Sequence, residues 1–214
     1  MRSTRGKPRQ QELELRTWGG ARRGAGRRSA GDRPRAPHAE REEVRAYQPV
    51  HVSMRMAPHV WNLRSQRSFR VIDAAMRKAR RDPAFRVVHF TILGNHLHLI
   101  VEANGTLAFT RGVRALEIRV ARGLNRMMGR KGPVFADRYD AHVLRRPAEV
   151  RSAVRYVLGN FESHAVRRGE LRSATDWVDP FSSAAAKGPR REQLALFTDV
   201  ATTPPRTWLL RRAS

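Results

Sequence analysis

Two histidines separated by one residue, His96 and His98, stand in the run Asn95-His96-Leu97-His98-Leu99-Ile100-Val101. In an extended segment residues i and i+2 share a face, so the two imidazoles project together while Leu97, Leu99 and Val101 point the other way. Side-by-side imidazoles can take adjacent positions on one divalent ion, with the apolar residues between them anchoring the strand. Taken alone, the pair is as readily two histidines on a half-exposed strand, because so short a motif arises often by chance. A second pair, Tyr156 and Asn160, lies in Ala153-Val154-Arg155-Tyr156-Val157-Leu158-Gly159-Asn160. Spacing of four puts both on one side of a helix, turned away from a core stripe of Val150, Val154, Val157 and Phe161. A phenol can attack phosphorus if a metal polarises the phosphate. An amide oxygen one turn away suits a hard, oxygen-preferring cation. Without the histidines, a tyrosine at a helix–sheet seam is the simpler account.

Other residues compete for these roles. Tyr139, in Ala136-Asp137-Arg138-Tyr139, is the rival nucleophile, but an extended segment ahead of the tyrosine helix favours a structural use. His89 sits among apolar neighbours and reads as a core histidine. His51, His59 and His142 have no partner at ligand spacing. Glu102 shares a side with His96 and His98 and is either near a metal or a solvated strand end. Asp137 and Asp140 read as surface. His164, one turn past Asn160, reads as solvated.

The elements that must position these residues follow from periodicity. HVSMRM (51–56) alternates as a strand, and 68–81 carries Phe69, Ile72, Ala75, Met76 and Ala79 at helical spacing until Pro83. FRVVHFTIL (85–93) and HLHLIVEA (96–103) are strands joined by a short turn, hence a hairpin. A long helix over about 107–128 has an apolar stripe of Val113, Leu116, Val120, Leu124 and Met127. VFADRYDAHVL (134–144) reads as the next extended segment, and Pro147 suits the first turn of a helix over 148–168. The order strand, helix, strand, strand, helix, strand, helix predicts an α+β chain. It is a ferredoxin-like, RRM-like antiparallel sheet with helices on one face and an added C-terminal tyrosine-bearing helix. A sheet with a free face can serve as a platform for a nucleic-acid strand.

Composition narrows the partners. The 214 residues hold 43 Lys+Arg against 19 Asp+Glu, a net charge of +24, and all but four of the cations are arginine. That imbalance implies an acidic partner, of which nucleic acid is the commonest. The arginines at 111, 114, 119, 122 and 126 on the long helix, with Arg130 and Lys131 in the turn after it, are candidate phosphate contacts. The sequence has no cysteine, which excludes disulfides, thiol nucleophiles, zinc fingers and iron–sulfur sites. No apolar run approaches the ~18 residues of a membrane span, and the basic N-terminus lacks a signal-peptide core. A cytoplasmic protein without membrane contact is expected. Residues 1–46 read as a basic, disordered tail, 47–183 as the patterned domain, and 184–214 as a second basic, mostly irregular tail in which 194–197 or 208–210 could dock back.

Together, Asn95–Val101 and the Tyr156/Asn160 helix resemble the single-tyrosine HUH transposases of insertion sequences, especially the REP-associated tyrosine transposases. HVSMRM is similar to the family's first strand, GPVFADRY (132–139) to the segment before its tyrosine helix, and DWVDPFSS (176–183) to its closing tryptophan and Ser-Ser. The resemblance implies one Mg²⁺ or Mn²⁺ held by His96, His98 and Asn160, with Tyr156 as the nucleophile. It implies cleavage of single-stranded DNA at hairpin-forming elements, a 5′-phosphotyrosine intermediate, a nucleoid association through DNA, and either a monomer or a homodimer. Gly94 stands where the family commonly has Pro, and Phe161 where Pro commonly follows the helix amide. The competing reading is a non-catalytic, domesticated protein that only binds single-stranded DNA or RNA.

Either reading makes charge the main source of affinity. Binding to single-stranded DNA is expected to weaken with salt at a slope of roughly −0.7 in log K against log[salt] per phosphate contacted. A salt titration by fluorescence anisotropy checks this, and a flat response contradicts any nucleic-acid role.

Overall fold

Leu97, Leu99 and Val101 are fully buried, and so are Val50, Val52 and Met54; alternate residues of these two strands face one core, so the residues between them face the other side of the sheet. The computed structural model describes residues 42–167, 178–186 and 202–213, all within one compact unit. The elements run β1 (Val50–Arg55), α1 (Gln66–Ala79), β2 (Phe85–Ile92), β3 (His96–Ala103), α2 (Thr106–Met127), β4 (Asp140–Val143), α3 (Pro147–Arg167), a 3₁₀ turn (Ser183–Ala186) and α4 (Trp208–Ala213). The four strands form one sheet in the order β2-β3-β1-β4, every neighbouring pair antiparallel. This is the ferredoxin-like arrangement expected from the element order.

Local chemistry explains the boundaries. The Ser65 side chain accepts the Ser68 N–H and caps α1, the usual task of a serine at that position. The cap of α2 is Gly105 at φ 121°, a conformation open to glycine and strained for other residues. Thr106, beside it, instead accepts the Val44 N–H at 2.9 Å, and Val44 is buried in the main core. Gly112 lies where a Cβ would meet the Phe85 ring at 2.1 Å, so the α2–β2 contact requires its absence. The β2 ladder is irregular between Val87 and His89, and the bulge lets Val88 and His89 both serve the second face. The extended stretch expected over 134–144 is ordered differently. Only Asp140–Val143 pairs as a strand, Phe135 makes an isolated bridge to Met56, and the residues between turn inward to bury Tyr139.

Helices α1 and α2 cover one face of the sheet with the main core. The added helix α3 lies over the opposite face, where Val150, Val154 and Val157 pack with Val88, Ile100, Leu144 and Leu210. The second face is therefore not the open platform that a bare four-stranded sheet would offer. The stretch 184–214, expected to be mostly irregular, contains the docked helix α4, with Leu210 fully buried. Edge strand β2 is covered by two later segments: the Ile92 N–H donates to Phe181 O at 2.9 Å, and the Thr203 N–H to Val87 O at 3.0 Å. Covering blunts an edge that would otherwise pair with another chain. No helix among the described residues is long and apolar enough to cross a membrane. The basic tail expected over 1–46 lies, up to residue 41, outside the described residues, as does the 194–197 stretch.

Glu102 holds the C-terminal segment in place. Its carboxylate, fully buried, accepts the Arg86 guanidinium at 2.7 Å and the N–H groups of Arg206 at 2.9 Å and Thr207 at 2.8 Å. Neither sequence expectation for Glu102 is met: it is not a solvated strand end, and its oxygens are engaged by Arg86 and the C-terminal segment. Burial raises its pKa, but the hydrogen bonds from Arg206, Arg86 and Thr207 outweigh that and hold it below the ordinary carboxylate value. A folded-state pKa below the unfolded one stabilises fully above the unfolded value and is lost as pH falls through the folded one. The Arg206 and Thr207 amides are thus expected to lose hydrogen-exchange protection below about pH 4. Glu102→Gln is expected to cost about 3 kcal/mol at neutral pH, because Arg86 is left uncompensated, and to flatten the acid dependence. Urea melts from pH 3 to 7 check both.

Candidate functional site

The register of β3 fixes where the histidines sit. His98 pairs with Ser53 on β1 and Thr91 on β2, and His96 pairs with Arg55. Their rings lie parallel, 6.2 Å apart with an interplanar angle of 6°, on the face that α3 covers. The His96 Nδ1 is 2.6 Å from Asn95 Oδ1. An imidazole donating Nδ1–H to that oxygen keeps its lone pair on Nε2, the form a metal ligand takes.

Helix α3 brings Tyr156 to the same place, and Asn160 lies one turn further along the helix. The Tyr156 ring stands edge-on to His98, centroids 5.5 Å apart, and 49% of the residue is exposed. Asn160 is 1% exposed, and neither its amide oxygen nor its amide nitrogen has a hydrogen-bond partner. The spacing predicts a shared side, yet the two environments differ: Tyr156 stands at the rim and Asn160 in the interior. Four residues overrun a 3.6-residue turn by about 40°, enough to carry Asn160 inward. Phe161, expected in the buried stripe, is half-buried instead, with the Arg64 guanidinium 3.6 Å above its ring. That guanidinium also lies 4.5 Å from Phe181, donates to Ile92 O at 2.9 Å, and forks onto Asp179 at 2.8 and 3.0 Å. The clamp fixes α3 one residue beyond Asn160.

A third imidazole belongs to the site and was missed in the sequence. His51 stacks on His98 at 5.4 Å and meets the Tyr156 ring edge-on at 5.8 Å. Its Nε2 is buried without a hydrogen-bond partner. Burial pushes its pKa below the ordinary imidazole value; Asp140 opposes this and His142 adds to it. The alternation of HVSMRM does place His51, Ser53 and Arg55 on one side. The β1–β3 register that brings His51 beside His98 has no local signal.

The remaining candidates separate. Tyr139 is buried in the main core, edge-on to Phe109 at 6.0 Å, on the face away from the histidines. His89 is buried, with Nδ1 3.3 Å from Ser183 Oγ. Asp137 and Asp140 are exposed, and the His164 side chain lies outside the described residues. Arg111, Arg114, Arg119, Arg122 and Arg126 sit on α2, beyond the sheet from Tyr156, so they do not line this site. Arg119, Arg122 and Arg126 instead border, with Lys78, a groove of about 450 Å³ between α1 and α2. Arg130 and Lys131 lie elsewhere: their turn is tied to the loop after β1 by the Ala57 N–H to Val134 O (2.8 Å) and His59 Nε2 to Pro133 O (2.9 Å) contacts. That loop in turn meets the His96 end of β3.

Among the described residues no three His, Cys, Asp or Glu side chains gather at metal-holding distances. A cation held here by His96 and His98 would need a further ligand of another kind. The orphaned Asn160 amide fits that demand, since buried polar groups are otherwise satisfied, and the Asn95 contact to His96 supplies the outer-shell support a ligand needs.

No family model matches the sequence, and no curated protein matches it. Among solved structures, a REP-associated tyrosine transposase bound to a REP hairpin is similar with a TM-score of 0.54 at 17% identity, over 80% of this chain and 93% of that one. A Deinococcus radiodurans R1 protein provisionally described as a transposase reaches a TM-score of 0.40 at 11% identity, over 62% of this chain and 99% of that one; a similarity of that size supports no argument. The first likeness establishes that the two proteins share a fold.

The orphaned amide gives a test independent of activity. Asn160→Leu removes two unsatisfied buried groups and is expected to stabilise the metal-free protein by about 1–2 kcal/mol. Millimolar Mn²⁺ is expected to raise the melting temperature of the wild type and leave that of the variant unchanged. Differential scanning calorimetry with and without Mn²⁺ measures both.

Proposed function

We propose that the protein is a metal-dependent DNA strand transferase of the single-tyrosine HUH type, which cuts single-stranded DNA beside hairpins and rejoins it. The observation that carries this reading is the exposed Tyr156 ring set against His98, with His96 parallel to His98 and the unsatisfied Asn160 one turn along the same helix as Tyr156. Binding alone requires none of them. The shared fold with a transposase bound to a DNA hairpin supports the same reading.

Under this proposal His96, His98 and Asn160 hold Mg²⁺ or Mn²⁺, which when bound supplies polarisation of the scissile phosphate. Tyr156 Oη attacks phosphorus, giving up its proton as the new P–O bond forms. The bond to the 3′ oxygen breaks, that oxygen takes up a proton, and the 5′-phosphate stays on the tyrosine. The aryl phosphodiester keeps the energy of the broken linkage, so rejoining to a 3′-OH needs no nucleotide triphosphate. His51 packs against both His98 and Tyr156 and so holds the two rings at a fixed separation. Arg130 and Lys131 contact phosphates near the site, and the α2 arginines hold DNA on the far side of the sheet.

Tyr156→Phe is expected to abolish cleavage and the covalent adduct while shifting stability by no more than about 0.5 kcal/mol. The readout is a denaturing gel with a hairpin oligonucleotide labelled 3′ of the cut. Tyr139→Phe is expected to retain the adduct, and EDTA to prevent its formation on the wild type until Mg²⁺ or Mn²⁺ is restored. An adduct on Tyr156→Phe refutes the nucleophile, and its absence from the wild type leaves the non-catalytic binding protein.

A further inference from the structure

The loop between β1 and α1 carries Trp61, which is 50% exposed. Leaving half an indole in water forgoes burial that this largest of side chains usually finds. The loop does not hold it there loosely. The Leu63 N–H donates to Gly94 O and the Met56 N–H to Asn95 O, each at 2.9 Å; these acceptors are the two residues before His96. The Arg64 N–H donates to Asn62 Oδ1 at 2.9 Å, and Asn62 also packs beside Gly94. On its other flank the loop is tied at Ala57 and His59 to the turn bearing Arg130 and Lys131. Exposed Arg55, paired with His96, completes the surroundings. A rigidly mounted aromatic surface thus stands at the His96 end of the sheet, with exposed Arg55 and Lys131 and half-buried Arg130 on the neighbouring segments.

We propose that Trp61 is a base-stacking platform for single-stranded DNA leaving the Tyr156–His98 site, with the strand's phosphates against Arg130, Lys131 and Arg55. Stacking on an aromatic ring accepts any base, and the cations follow the backbone. The inference rests on the nucleic-acid reading above but not on cleavage.

The test titrates the full-length protein with a fluorescein-labelled oligo(dT) at fixed salt, reading anisotropy for affinity and, with unlabelled oligo(dT), tryptophan fluorescence. Trp61→Ala is expected to weaken binding about tenfold without altering the salt slope, because stacking releases no counterions. Trp61→Phe is expected to keep most of the affinity and lose most of the quenching, although three other tryptophans remain. Arg130→Ala is expected to lower the slope by about 0.7. Circular dichroism confirms that each variant folds. Wild-type affinity and quenching in Trp61→Ala overturn the platform while leaving the Tyr156 adduct as an independent check on the strand-transfer reading. If the wild type binds no single-stranded DNA, both fall; if Trp61 governs binding but no adduct forms, the platform stands and cleavage does not.

Discussion

Side-chain alternation along β3 is the constraint on which the site depends. Leu97, Leu99 and Val101 are each fully buried beneath α1 and α2, which forces His96, His98, Ile100 and Glu102 to the other face. A slip of one residue would exchange the two sets completely. The strand is central, bonded to β1 on one side and β2 on the other, so both ladders would have to break together. The imidazoles are oriented by the burial of residues that take no part in chemistry.

That alternation is also why this portion of the site could be read from sequence. The β2–β3 hairpin, the two histidines on one face and the three long helices all follow from local spacing. What escaped is long-range. His51 joins the site through a cross-strand register, and Glu102 meets partners 104 and 105 residues away. The α2 arginines were visible as a basic face, but which side of the sheet that face occupies is a matter of packing. The segment 134–144 misled because its pattern is extended while its hydrogen bonds are mostly not those of a strand; Tyr139 is drawn into the core instead.

Seating α3 requires two interactions of different character. The valine stripe supplies burial without direction, and the Arg64 clamp supplies direction. A guanidinium between Phe161 and Phe181 that also forks onto Asp179 has few alternative geometries. Phe161 stands where the family it resembles commonly has proline, so this chain secures the turn that carries Asn160 by stacking rather than by a restricted backbone. The unsatisfied Asn160 lies directly beside this clamp, which leaves the helix little freedom to relax it.

The carboxylate of Glu102 has a consequence for the order in which the protein assembles. Arg86 reaches it across one hairpin, a short closure that can form early. The backbone amides that complete its shell arrive only after a loop of about a hundred residues closes, which is entropically slower. Until then Glu102, near the end of β3 on the second face, lacks the amides that complete its shell and keeps water there. The sheet and its first core can therefore exist before that face is dry, and the docking of α4 becomes the step that seals it.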